Sequence, residues 1–201
     1  MTRALVRRAT LAGATLTLAL LVAACGDHNA MPGMQHGATT AAGSASAGTA
    51  AFNDADAMFA QMMIPHHQQA VEMADLADTR ATDAEVKTLA GQIKAAQGPE
   101  ITTMTGWLSS WGKPAPAMSG MSHGMPGMMS GADMAKLKAA TGKDFDRQFC
   151  TMMIAHHQGA IAMSRDELRN GTNADAKALA QRIITAQQAE IDTMNKILAR
   201  L

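Results

Sequence analysis

The sequence predicts an all-α fold: a four-helix up-down bundle made of two copies of one helical hairpin. Three observations predict it. The chain carries an internal repeat at an offset of 90 residues, its apolar residues recur with helical spacing, and helix-start residues stand at matching places in both copies. Met62-Met63-Ile64-Pro65-His66-His67-Gln68 aligns with Met152-Met153-Ile154-Ala155-His156-His157-Gln158. Phe59, Ala70 and Met73 align with Phe149, Ala160 and Met163. Further on, Ile93, Gln97, Glu100, Ile101 and Met104 align with Ile183, Gln187, Glu190, Ile191 and Met194.

The N-terminal segment is read first. Arg3, Arg7 and Arg8 give a basic start, and an apolar run from Leu16 to Ala24 ends at Cys25. That run is short for a membrane span and has the form of a secretion signal. Val22-Ala23-Ala24-Cys25 resembles the bacterial lipoprotein cleavage box, which implies that residues 1–25 are removed and Cys25 is lipidated. A soluble secreted protein cut nearby is the alternative. The expected location is therefore the cell envelope, lipid-anchored on the extracytoplasmic side of the membrane. Arg7-Arg8 is a weak hint of twin-arginine export.

Residues 26–51 are rich in Ala, Gly, Ser and Thr and read as a flexible tether. The remainder, 52–201, is the bundle domain, interrupted by a Met-rich linker at 113–131. The pattern predicts helices over about 54–79, 83–110, 133–170 and 173–200. Asp54 and Asp144 stand at equivalent starts, and Thr82-Asp83-Ala84-Glu85 fits a capping box. Thr172-Asn173-Ala174-Asp175 is its looser counterpart, and Gly171 suits the end of the helix before it. Pro65 and Gly98-Pro99 fall inside helices, where a kink is expected. In an up-down-up-down bundle the first and third long helices run parallel and diagonal.

Charge and composition exclude several functions. The chain has 17 basic and 17 acidic residues. Losing Arg3, Arg7 and Arg8 leaves 14 against 17, a net charge of −3. No basic patch stands out, so nucleic acid is not an expected partner. With Cys25 lipidated, Cys150 is the single remaining thiol and no internal disulfide is available. No Ser/His/Asp triad, phosphate loop or glycosidase-like carboxylate pair is evident. What stands out is sulfur: 18 Met against 3% aromatic residues and no Tyr.

Placement gives that sulfur its meaning. On a helical wheel Phe59, Met62, Met63, His66, His67, Ala70 and Met73 fall within an arc of about 140°. Phe149, Met152, Met153, His156, His157, Ala160 and Met163 repeat the arrangement. Met alone could be core filling. Four His at equivalent buried positions need hydrogen-bond partners or a metal. Met62 to His66 and Met63 to His67 are i, i+4 pairs whose side chains can reach one ion. Thioether and imidazole together favour Cu(I) and admit Cu(II). Whether the two halves share a site or build two is open. Cys150 is either a buried thiol or an extra ligand.

Gln97, Glu100, Gln187 and Glu190 are expected to face inward, where they either hydrogen-bond the imidazoles or, for Glu100 and Glu190, ligate directly. A polar edge exposed at a kink is the alternative. The low-complexity stretches add Met31, Met34 and His36, and then Met118, Met121, His123, Met125, Met128 and Met129. A disordered linker has no packing reason to carry Met, so these are further candidate copper ligands.

The segments MMIPHHQQAVEM at 62–73 and MMIAHHQGAIAM at 152–163, each followed by Gln-x-x-Glu-Ile-x-x-Met, resemble the DUF305 family of CopM-like proteins. The resemblance covers about 52–201. It implies a ferritin-like bundle, copper binding outside the cytoplasm, and Met62, Met63, His66, His67, Met73, Met152, Met153, His156, His157 and Met163 as ligands. The leading expectation is a non-enzymatic copper binder that sequesters copper or hands it to a transporter or chaperone. The alternatives are a ferritin-like metal-dependent oxidase or peroxidase, and a metal-free structural bundle. Against the oxidase, no helical His has a Glu three positions before it, as di-iron bundles require.

Overall fold

The structure, a computed structural model, describes residues 51–116 and 125–201. The expected signal peptide with Cys25, and Met31, Met34, His36, Met118, Met121 and His123, lie outside the described residues. Among those described there are five helices: α1 (Asp54–Arg80), α2 (Ala84–Ser110), α3 (Gly131–Ala139), α4 (Gly142–Asn170) and α5 (Ala174–Arg200). The four long ones form the all-α bundle, with α1–α2 and α4–α5 as the two repeated hairpins. None of the described helices is long and apolar enough to cross a membrane.

The starts are set by short polar side chains. Asn53 caps α1 in a reciprocal box with Asp56, one residue before the Asp54 expected from sequence. Asp83 caps α2 through the amides of Glu85 and Val86, and Asn173 caps α5 through Asp175 and Ala176. Thr82 is thus not the capping residue of a box. Pro65 and Pro99 are carried inside helices that continue past them.

The helix expected over 133–170 is two helices. Ala140 and Thr141 are extended, and Gly142 takes φ +62°, a conformation costly for any residue with a Cβ. Thr141 rather than Asp144 occupies the cap position of α4.

A second difference concerns direction. Asp56, in the first turn of α1, accepts bonds from the Thr172 amide (3.1 Å) and Asn173 amide (2.9 Å), just past the end of α4. Asp146, in the first turns of α4, accepts from the Thr82 hydroxyl (2.7 Å) and Asp83 amide (3.0 Å), just past the end of α1. Therefore α1 and α4 run antiparallel and pack against each other; they are not the parallel diagonal pair expected. Each hairpin is up-and-down, but the segment after α2 crosses the length of the bundle before α4 begins. A long crossover of this kind reverses the second hairpin. Arg200 at the end of α5 grips Asp83 (2.5 Å) and Glu85 (2.8 Å) at the start of α2, as this topology requires.

The two halves are thereby related by an approximate two-fold axis. Asp56 and Asp146 are repeat equivalents, and each caps the other half's second helix. Asp146→Ala should cost about 2 kcal/mol, because the amides it holds have no alternative partner. Urea denaturation measures this; an unchanged midpoint would mean that the cap is redundant.

The core forms two apolar clusters. One gathers Phe59, Met63, Met104, Met163 and Ile183; the other gathers Met73, Ile93, Phe145, Phe149, Met153 and Met194. One joins Met63 of α1 to Met163 of α4 and the other joins Met153 of α4 to Met73 of α1, as an antiparallel α1–α4 pair dictates.

Candidate metal centre

Between the two clusters, at the middle of α1 and α4, lie four fully buried imidazoles. His66 and His156 meet across the pseudo-two-fold, ring centroids 3.8 Å apart and tilted by 39°. His157 lies 6.4 Å from His156. His67 and His157 turn outward to the neighbouring helix of their own hairpin. The Nε2 of His67 donates to Glu100 Oε2 at 2.7 Å, and that of His157 to Glu190 Oε2 at 2.6 Å. The inward-facing Glu expected from sequence is therefore found bonded to imidazole. Gln97 and Gln187 are buried as expected, without a bond to any described His.

His66 Nε2 lies 3.1 Å from the Pro126 carbonyl. A carbonyl and a carboxylate only accept, so His66, His67 and His157 each carry their proton on Nε2. None of their Nδ1 atoms has a protein partner. Neither ring nitrogen of His156 has one. Burial, then the charge of His67, holds the His66 pKa down at about 3. Burial and the neighbouring His66 hold His156 well below its ordinary value. The central pair is thus neutral across the physiological range.

This is the condition imidazole needs to bind a metal: neutral, with one nitrogen anchored to carboxylate or carbonyl and the other free. Leaving such a nitrogen buried and unbonded costs about 1–3 kcal/mol, which a bound ion would recover. Among the described residues no three His, Cys, Asp or Glu side chains converge as a complete metal site. The further donor type that the repeat carries is the thioether sulfur of Met.

The methionines are not all in one place. Met63, Met73, Met153 and Met163 are packed in the core clusters, while Met62 and Met152 are half-buried. The antiparallel pairing brings the His segments together but sends Met62 and Met152 toward opposite clusters. The two Met pairs thus do not face one another as a parallel pair would. Cys150 is fully buried beside Phe149, its thiol pushed up to about 12 by burial and by Asp146. The charges that reach it are those at the end of the bundle, so it is a buried thiol.

The crossover reaches the centre, which composition did not foretell. Gln69 donates to the Met129 carbonyl (2.9 Å) and accepts from its amide (2.7 Å). Gly127, at φ +78°, lies against α4 so closely that a Cβ there would stand 2.6 Å from the Ala155 carbonyl oxygen. Gly159, where the other repeat has Gln69, receives the Pro126–Gly127 backbone. Met125 is buried and Met129 packs on the core, so these two linker methionines do have a packing reason. Met128 is half-buried.

Two further residues passed over in the sequence lie outside the imidazole band, near the start of α1 and the end of α4. Met58, 58% exposed, lines a cleft of about 260 Å³ with Phe59, Met62, Pro126, Met163 and Glu167. Glu167 is buried against Asp56, and its pKa is pushed up to about 8, first by burial and then by Asp56. The available signal was a break in the repeat: the equivalents of Met58 and Glu167 are Gln148 and Ala77.

Residues 56–198 match the model of one family, "Domain of unknown function (DUF305)". Solved structures agree with that match. A putative secreted DUF305 protein from Streptomyces coelicolor is 38% identical, with TM-score 0.67, covering 72% of this chain and 92% of its own. A DUF305 fragment from Deinococcus radiodurans is 34% identical, with TM-score 0.69, covering 74% and 98%. CopM in its Cu(II)-bound form is 37% identical, with TM-score 0.64, covering 72% and 95%. CopM has also been solved in Cu(I)-bound, Ag-bound and apo forms. No curated protein matches the chain.

Proposed function

We propose, from the premise that this chain belongs to the DUF305 family, that it is a copper-binding protein that sequesters copper or passes it on without turnover. The observation that carries this reading is the His66–His156 pair: neutral, with ring centroids 3.8 Å apart, and holding nitrogens that no protein group bonds. His67 and His157, each fixed by a carboxylate, extend the donor set to either side. Thioethers of the Met62-Met63 and Met152-Met153 segments, with Met73 and Met163, are the soft sulfur donors that α1 and α4 carry on either side of them. Imidazole and thioether together serve Cu(I) well and Cu(II) through nitrogen. CopM, a relative solved with both ions, supports the choice of metal.

The site of action in this reading is the cell envelope, with lipidated Cys25 holding the domain on the extracytoplasmic side of the membrane. A copper transporter or chaperone there is the fitting partner. Residues 26–51 then act as the tether, and the linker methionines as additional, weaker copper ligands.

Metal analysis after loading with Cu(I) and Cu(II) tests the reading. Replacing His66 and His156 together by Ala is expected to remove the bundle's copper, while replacing the linker methionines removes only the excess. Copper content unaffected by either set, or no uptake at micromolar copper, would overturn it. Glu100→Gln with Glu190→Gln should lower copper affinity about 10–100-fold, since the carboxylates orient the imidazoles and raise their basicity. Competition against a Cu(I) chelator reads this loss; affinity equal to wild type would show that the carboxylates are not coupled to the metal.

A further inference from the structure

The cleft lined by Met58 and Met62 is one-sided, and burial rises along α1 from it toward His66. Met58, Met62 and His66 follow one another at i, i+4 and i+8 along α1. They therefore share a face and span about 12 Å of helix axis. Their burial rises in that order: Met58 is 58% exposed, Met62 is half-buried, and His66 is fully buried. Met163 of α4 and Pro126, whose carbonyl lies 3.1 Å from His66 Nε2, line the same cleft.

Core packing does not explain Met58, which is the only large apolar side chain so exposed among the described residues. In the other repeat the ladder begins with Gln148, so only α1 brings sulfur to the surface. Glu167, whose carboxyl pairs with Asp56, lies buried at the cleft wall. Its repeat equivalent is Ala77, so this feature too belongs to one side alone.

We propose that this cleft is a distinct soft-cation site, formed by the thioethers of Met58, Met62 and Met163, through which Cu(I) reaches His66. It rests on the copper reading and gives it an entrance. The site takes a cuprous ion or its redox-inert analogue Ag(I). Entry involves ligand exchange only, with no change in oxidation state: a carrier's donor is released as Met58 sulfur binds, and His66 Nδ1 later replaces a thioether.

The test is a titration of the full chain with Ag(I), followed by NMR of ¹³C-labelled methionine methyls and of the imidazoles. At substoichiometric Ag(I), the Met58, Met62 and Met163 methyls are expected to shift together. Met58→Leu should weaken the dissociation constant read at Met62 and Met163 by about tenfold, a difference of about 1.4 kcal/mol. Because Met58 is exposed, Leu there should leave the thermal melt unchanged, which separates lost binding from lost folding. Shifts of the imidazoles, Met62 and Met163 that Met58→Leu leaves unchanged would overturn the cleft site and leave the copper reading intact. No response from any methyl or imidazole would overturn both.

Discussion

Glu167→Gln is expected to stabilise the metal-free protein at pH 8–9 by about 3 kcal/mol, with little effect at pH 5. Glu167 is 2% exposed, and burial together with the adjacent Asp56 raises its carboxyl to about 8. Burial would raise Asp56 as well. Hydrogen bonds from Glu167 and from the Asn53, Asn173 and Thr172 backbone outweigh that and hold Asp56 below its ordinary value. The proton therefore resides on Glu167. The groups facing it are Asp56 on α1 and Lys177 on α5, the latter only partly offsetting the rise.

The sign follows from a folded-state pKa above the unfolded one. The contribution is complete below about 4.5, the ordinary glutamate value, and is lost as pH rises through about 8. Gln keeps the shape and a donor for Asp56 but has no proton to lose. Urea denaturation at pH 5, 7 and 9 reads the effect. Parallel pH–stability curves for wild type and variant would show that Glu167 is already ionised in the fold.

Gly159→Ala should cost about 2–3 kcal/mol, because the new methyl would occupy the space of the Pro126 carbonyl. The nearest backbone on the second side is Gly127 Cα, at 2.9 Å from that methyl position. Backbone cannot swing aside as a side-chain tip can, so the crossover must lift, and His66 loses its acceptor. Gly91→Ala is the contrasting case: nothing lies within 4 Å, and a helix-interior Gly gains about 0.5–1 kcal/mol on becoming Ala. Denaturation midpoints moving in opposite directions would fit; equal midpoints at Gly159 would mean the crossover does not press on α4.

The hairpins and the imidazole band were legible because they recur. A 90-residue offset identifies which helix faces must be equivalent; that His66 meets His156 follows from both standing near the middle of helices that run antiparallel. The direction itself was not legible. It depends on whether the segment after α2 turns back at once or crosses the bundle, and Gly, Pro and Met composition permits both. The break at Ala140–Gly142 was hidden for a related reason, since apolar spacing continues across it in Leu137 and Phe145. The Glu100 and Glu190 contacts were foreseen as one of several options, because polar residues on an apolar face need partners. Met58 and Glu167 escaped notice because attention to what repeats overlooks what does not. The strap contacts of Pro126 and Gly127 depend on backbone approach, which no side-chain pattern records.

The pairing of α1 with α4 is isologous, like the interface of a symmetric dimer fused into one polypeptide. An ion on the axis would meet matched ligands from both sides, were it not for the crossover. His66 has its tautomer dictated by Pro126, whereas His156 is free to present either nitrogen. The duplication supplies paired ligands, and the strap makes them unequal in which nitrogen each can offer.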